Sequence, residues 1–346
     1  MKIASRAVGR TGLHATELGF GAGALGNLYK RVEDDDARAT LDAAIDAGIG
    51  YFDTAPFYGL GLSERRIGDA LRGRRSQVLI SSKVGRLLRP SDGALPSERY
   101  GFVTPMPFEP QFDYTHDGIL RSHEASLHRM GLARIDILYV HDIGAMTHGA
   151  QHDHFWQQLT HGGGFRALER LRDEGAIAGF GLGVNETSVC MDALRETRLD
   201  VILLAGRYTL LEQGALDDLL PACVRNGVSI VIGGPYNSGI LATGTRGRGP
   251  LYYNYGPASP EIVARVARIE AVAAAHGVPL AAAALRFPLA HRAVVSVIPG
   301  LGDARRVAQT LELYRAPIPP TFWADLRREG LIRPDAPLPA GTETAQ

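Results

Sequence analysis

Along the chain, short runs of apolar and β-branched residues alternate with longer stretches in which apolar side chains return every three or four positions. The short runs, at 16–22, 50–54, 78–83, 135–141, 180–184, 201–205, 228–233 and 294–298, read as strands. The stretches between them read as helices. Ala37, Leu41, Ala44 and Ile45 fall on one face behind the acidic start Asp34, Asp35, Asp36, and Ile67, Ala70 and Leu71 repeat the pattern further on. Gly48 and Gly73 stand where helix stops belong, Pro279 opens a later helix, and Pro288 ends it.

Eight strand–helix units whose strands lack a polar face predict an α/β protein built as one (β/α)8 TIM barrel. No Pro-, Ser- or charge-rich linker divides the chain, so residues 1–333 are read as one domain and 334–346 as a disordered tail. Residues 8–13 predict an N-terminal β-hairpin over the barrel floor. Two long βα loops, 87–115 and 237–260, break the rhythm, and such loops shape substrate sites at the C-terminal face of barrels.

Composition narrows the partners. Lysine plus arginine and aspartate plus glutamate each total 37 in 346 residues, so no net field draws nucleic acid or an anionic membrane. With 45% hydrophobic and 21% charged residues the chain is globular. Two cysteines, Cys190 and Cys223, are too few for a disulfide framework and favour a reducing, cytoplasmic setting. Neither a spanning apolar run nor a signal-type N-terminus is present in the sequence given.

Two motifs invite other readings. Gly21-Ala22-Gly23-Ala24-Leu25-Gly26 matches the dinucleotide fingerprint G-x-G-x-x-G, but helical periodicity resumes only near Asp34, so it is read as a tight loop at the barrel mouth. His141, His148, His152, His154 and His161 fall within 21 residues without metal-ligand spacing, so no metal is assigned and only His141 is given a chemical role.

Four residues at or just past strand ends carry candidate chemistry: Asp53, Tyr58, Lys83 and His141. A phenol, with a pKa of about 10, is a poor proton carrier at neutral pH until a cation stabilises its phenolate. Lys83 supplies that cation, Asp53 holds the lysine charged, and His141 orients a carbonyl or hydroxyl oxygen.

These residues resemble the aldo-keto reductases, through Asp53-Thr54-Ala55-x-x-Tyr58-Gly59 and a likeness running from Leu18-Gly19-Phe20-Gly21 to about Leu311. The resemblance implies a catalytic tetrad of Asp53, Tyr58, Lys83 and His141 in a nicotinamide-dependent barrel enzyme. Phe57 to Glu64, Lys83 to Leu88 and Tyr114 to Ile119 are similar to the branch of sugar 1-dehydrogenases, which has pyridoxal 4-dehydrogenase as a relative. The same resemblance implies cofactor contacts from Asn185 and Glu186, ring stacking by Tyr208, and a pyrophosphate loop of Gly234, Pro235, Tyr236 and Gly239. Gly300 and Arg306 then fall in the adenosine-phosphate segment. Ala205 replaces a family glutamine, Gly300 a lysine, and Gln309-Thr310 an acidic–amide pair.

The implied activity is oxidation of the anomeric C1 hydroxyl of an aldose to a lactone, with NAD as cofactor, NADP possible, and a small sugar as partner. Reduction of aldehydes or ketones, or oxidation of pyridoxal, uses the same four residues. A non-catalytic cofactor-binding sensor is the alternative of another class, disfavoured by an intact tetrad.

Overall fold

The computed structural model describes residues 2–91, 95–247 and 249–340. Eight parallel strands lie in chain order: β1 (Phe20–Gly21), β2 (Tyr51–Asp53), β3 (Leu79–Val84), β4 (Ile137–His141), β5 (Gly179–Val184), β6 (Val201–Ala205), β7 (Ser229–Gly233) and β8 (Val294–Ile298). Parallel bridges from Leu18 to Val297 and from Gly21 to Gly300 join β1 to β8 and close the (β/α)8 barrel. A closed sheet leaves no edge to pair with another chain.

The first strand is shorter than its apolar run. Thr16 pairs instead with Ser5 in an antiparallel hairpin, Ser5–Ala7 with His14–Thr16, whose turn is closed by Val8 N donating to Leu13 O at 2.9 Å. Val8 and Ala15 from this hairpin pack against Ile137, Val201, Val231 and Val295, which seals the barrel floor with apolar side chains. Outside the sheet, the helix Asp34–Asp46 buries Ala37, Leu41, Ala44 and Ile45, the face its spacing marks. Among the described residues no single helix is long and apolar enough to cross a membrane.

Three regions depart from their sequence reading. The glycine segment Ala22–Gly26, read as a tight loop, is wound into a 3-10 turn, and the α-helix begins at Asp34, where its periodicity places it. The loop after β3 carries its own antiparallel pair, Arg86–Pro90 with Phe108–Phe112, and a smaller one, Glu98–Arg99 with Phe102–Val103. The tail is packed through residue 340: Ala336 is buried and its carbonyl accepts from Arg327 at 2.6 Å, while Leu338 rests on the core. The rest of that tail, 341–346, lies outside the described residues.

Candidate active site

Strand alternation decides which side chains reach the barrel interior. On β2 the inward residues are Tyr51 and Asp53, on β3 Leu79, Ser81 and Lys83, and on β4 Ile137, Tyr139 and His141, since the register pairs Asp53 with Ser81 and Lys83 with Tyr139. The three polar strand ends therefore point to one mouth. Tyr58 arrives from the loop after β2, which is seated by backbone contact: a Cβ on Gly26 would lie 2.5 Å from the Tyr58 carbonyl carbon, and one on Gly59 2.5 Å from Gly26 O. Gly59 also has φ +65°. Both positions need glycine, for space and, at Gly59, for conformation.

Lys83 Nζ donates to Asp53 Oδ2 at 2.6 Å and to the Thr54 carbonyl at 2.9 Å, with both side chains buried. The ammonium lies over the Tyr58 ring, 4.7 Å from its centroid. Burial works to lower the Lys83 pKa, but Asp53 and Tyr58 outweigh it and hold the group above its ordinary value. At Tyr58 the balance is different. Burial pushes the phenol up to about 12, with Lys83 pulling it down and Asp53 pushing it up. The lysine thus lowers the phenol pKa, as a neighbouring cation must, against the larger effect of burial.

His141 is buried edge-on to Tyr58, with ring centroids 6.0 Å apart. Burial, then Arg86 and Lys83, hold its pKa well below 6.5, so the imidazole is neutral. Its Nε2 lies 3.5 Å from Asp142 Oδ2, and its Nδ1 is buried without a partner among the described residues. A neutral imidazole beside a phenol can direct a substrate oxygen without competing for the proton.

A pair that sequence reasoning passed over flanks this histidine. Arg86, just past β3, is ion-paired with Asp142 and lies between two rings, 4.1 Å from the Phe57 centroid and 4.8 Å from that of Phe112. Asp142 has left-handed backbone, φ +49°, a conformation that concentrates at functional sites. The signal was present in Gly85-Arg86 and His141-Asp142, yet only the fold brings them together. Behind them His148 Nε2 meets the Tyr114 hydroxyl at 3.0 Å, while His152, His154 and His161 bond to nearby backbone or side chains. Among the described residues no three His, Cys, Asp or Glu side chains converge as metal ligands.

A cavity of about 700 Å³ extends from Asp53 and Tyr58 across the ends of β6, β7 and β8 to Arg306, Gln309 and Leu313. Its walls include Gly21, Gly23, Gly206, Gly233, Gly234 and Gly300, so backbone is exposed to a ligand along much of its length. Of the residues expected to touch cofactor, Gly234, Pro235, Tyr236, Gly239, Gly300 and Arg306 line it. Asn237 fastens this loop, its side chain accepting from Thr209 at 2.6 Å and donating to Gly206 O at 3.1 Å. Glycine-lined backbone at one end of a barrel mouth and an arginine at the far end fit a dinucleotide, whose phosphates need amide and cationic donors.

The other cofactor residues fall elsewhere. Asn185 meets the Tyr255 side chain and its carbonyl accepts from Arg207 at 2.5 Å, while Glu186 accepts from Met146 N at 3.0 Å. Neither forms part of the cavity wall. Tyr208, expected to stack on the nicotinamide, is fully buried, its ring 5.5 Å from Phe287 and 5.8 Å from His291. The reason is the turn at Gly206, φ +67°, which aims Arg207 at the mouth and Tyr208 into the core. The tyrosine rings that do line the cavity are Tyr29, Tyr58, Tyr236 and Tyr255.

A barrel with a tyrosine, a buried lysine–aspartate pair and a neutral histidine at a dinucleotide-sized cleft defines a class of oxidoreductase, and comparison with known proteins agrees. Residues 17–328 match the model of the Aldo/keto reductase family, and the chain belongs to that family. The chain is 46% identical over 336 residues to pyridoxal 4-dehydrogenase of Microbacterium luteolum, covering 94% of this chain and 97% of the other. It is 41% identical over 336 residues to D-threo-aldose 1-dehydrogenase of Pseudomonas sp, covering 96% and 99%. Among solved structures, an aldo-keto reductase from Bacillus halodurans in its holo form superposes with a TM-score of 0.70 at 24% identity, over 99% of each chain, a likeness of fold. The protein is an NAD(P)-dependent oxidoreductase acting on a small molecule.

Proposed function

We propose that the enzyme oxidises the hydroxyl of a cyclic hemiacetal to a lactone, with an aldose as substrate, C1 as the reacting carbon and NAD as cofactor. The observation that carries this reading is the Tyr58 ring 4.7 Å from the ammonium of the buried Lys83–Asp53 pair, at one end of the glycine-lined cavity. Bound nicotinamide supplies the hydride acceptor. Tyr58 takes the proton of the hemiacetal hydroxyl, Lys83 lowers the cost of that transfer, and Asp53 keeps Lys83 charged. His141, neutral, orients the reacting oxygen. Asp142 and Arg86 beside it offer acceptor and donor to neighbouring hydroxyls, the kind of polar rim that tells epimers apart.

Pyridoxal is the second reading, favoured by the relative at 46% identity and by the rings of Tyr29 and Tyr255 on the cavity wall. The two readings share chemistry, because the pyridoxal aldehyde also closes with its neighbouring hydroxymethyl to a cyclic hemiacetal. The cofactor preference rests on Gly300, where no side chain reaches a 2′-phosphate, with Arg306 on the cavity wall to accommodate one. A reducing, cytoplasmic location fits the free, buried thiols of Cys190 and Cys223.

The test is a screen of aldopentoses, 6-deoxyhexoses and pyridoxal with both nicotinamide cofactors, run beside the corresponding methyl glycosides and methyl acetal. Turnover is expected with the free hemiacetals alone. Equal rates on the methyl derivatives, which lack the hydroxyl, would exclude oxidation at that carbon.

A further inference from the structure

Directly beneath Asp53, Lys83 and His141, two residues earlier on the same three strands, stand Tyr51, Ser81 and Tyr139. Their hydroxyls form a buried line. Ser81 Oγ donates to Asp53 Oδ1 at 2.7 Å, Tyr51 OH lies 2.9 Å from Ser81 Oγ, and Tyr139 OH lies 2.9 Å from Tyr51 OH.

We propose that Ser81, Tyr51 and Tyr139 form a one-way hydroxyl chain that holds Asp53 ionised and aimed at Lys83, making them positioning residues for proton transfer at Tyr58. This rests on the reading of Tyr58, Lys83 and Asp53 given above. Each hydroxyl has a single proton to donate. That of Ser81 is committed to the carboxylate, so Tyr51 must donate to Ser81, and Tyr139 must donate to Tyr51. The opposite order, started by a protonated Asp53, leaves the Tyr139 proton without an acceptor among the described residues, because Tyr51 is its one partner. Leaving a buried donor unmade is disfavoured, so the geometry selects the charged carboxylate.

The chain also ends where it cannot leak. Val8, Ala15, Ile137 and Val231 surround Tyr51 and Tyr139 at the sealed floor, so the line polarises toward Asp53 and offers no path to water. Lys83 and Tyr58 face Asp53 from above and Tyr51 and Tyr139 from below. Burial raises the Asp53 carboxyl above its ordinary value even with Lys83 and Ser81 pulling it down, so each hydrogen bond to the charged form counts, and burial keeps both lower phenols protonated as donors.

The experiment compares pH profiles of kcat/KM in the oxidation direction for the parent, Ser81→Ala, Ser81→Thr, Tyr51→Phe, Tyr139→Phe and Asp53→Asn. Loss of one hydrogen bond to a carboxylate raises its pKa by about one unit. The acid limb of Ser81→Ala is therefore expected to move up by about one pH unit, a roughly tenfold loss at low pH that recovers at high pH. Tyr51→Phe and Tyr139→Phe should shift it progressively less, and Ser81→Thr should restore the parent limb. Folded Ser81→Ala and Tyr51→Phe proteins with the parent limb, or with a uniform loss at every pH, would overturn the proposal. If Ser81→Ala does not fold, Tyr51→Phe decides, because it keeps the ring. An active Asp53→Asn variant would instead show the proton-transfer set to be misassigned, and the hydroxyl chain would fall with it. An inactive one beside unshifted Ser81 and Tyr51 variants would condemn the chain alone.

Discussion

Replacing Tyr58 by phenylalanine separates chemistry from architecture. The ring keeps its place, 4.7 Å beneath the Lys83 ammonium and edge-on to His141, so the packing of the site is preserved. What disappears is a hydroxyl beside a charged lysine, and even a full charged hydrogen bond there would be worth only about 1.5 to 3 kcal/mol to stability. The rate should suffer more. A positioned acid–base group contributes about 10² to 10⁴, or about 2.7 to 5.4 kcal/mol of barrier. The phenol, pushed up to about 12 by burial, is protonated at neutral pH, so parent oxidation should accelerate with rising pH as the base form is populated. The variant should lose both the rate and that slope. Steady-state formation of reduced nicotinamide measures both, and fluorescence titration of cofactor checks binding, which should be unchanged within about twofold. Turnover within about tenfold of the parent, about 1.4 kcal/mol, would remove Tyr58 from the proton-transfer step.

The cofactor ratio is predicted to favour NAD or to be near unity, since Gly300 contributes no cation and one charged hydrogen bond is worth about 1.5 to 3 kcal/mol. A kcat/KM preference for NADP above about a hundredfold would show that other residues grip the phosphate. Stability should fall in acid through buried histidines: His148 is held at about 4 by burial, and His141 lies well below 6.5. The folded pKa is depressed, so the unfolded chain binds the extra proton. The stabilisation is full above about pH 6.5 and drains away as pH falls toward 4. Denaturation midpoints of the parent and His148→Phe across that window, in which common groups cancel, should diverge, with the variant showing the shallower slope. Parallel curves would refute it.

The barrel was legible because its strands are buried on both faces and read as apolar runs, while helices such as Asp34–Asp46 expose one polar side. The strand-end positions of Asp53, Lys83 and His141 were legible for the same reason: polar residues closing apolar strands stand out. Tyr208 was not. Its direction depends on the left-handed turn at Gly206, and a tyrosine two residues past a strand reads the same whether it faces a cleft or a core. The Arg86–Asp142 pair was hidden by distance along the chain, and the antiparallel segment Arg86–Pro90 with Phe108–Phe112 by prolines and charges at Arg89, Pro90, Glu109 and Pro110. Packing of Ala336 was masked by a short sequence rich in proline and alanine, whose composition resembles a linker.

That antiparallel ribbon pairs its two strands with each other as a separate two-stranded sheet. It also delivers Arg86 to the mouth at its first residue and Phe112 near its last, so one insertion brings both the cation and a ring that shields it. The proton-transfer residues belong to the barrel and to the glycine-seated turn of Tyr58, whereas the guanidinium comes from the insertion, which also grips that turn: Met106 N donates to Gly59 O at 3.0 Å and Phe102 meets Phe57 edge-on. A change in the ribbon is therefore felt at Tyr58 as well as at the mouth, because its arginine leans on the ring of the residue that precedes the tyrosine.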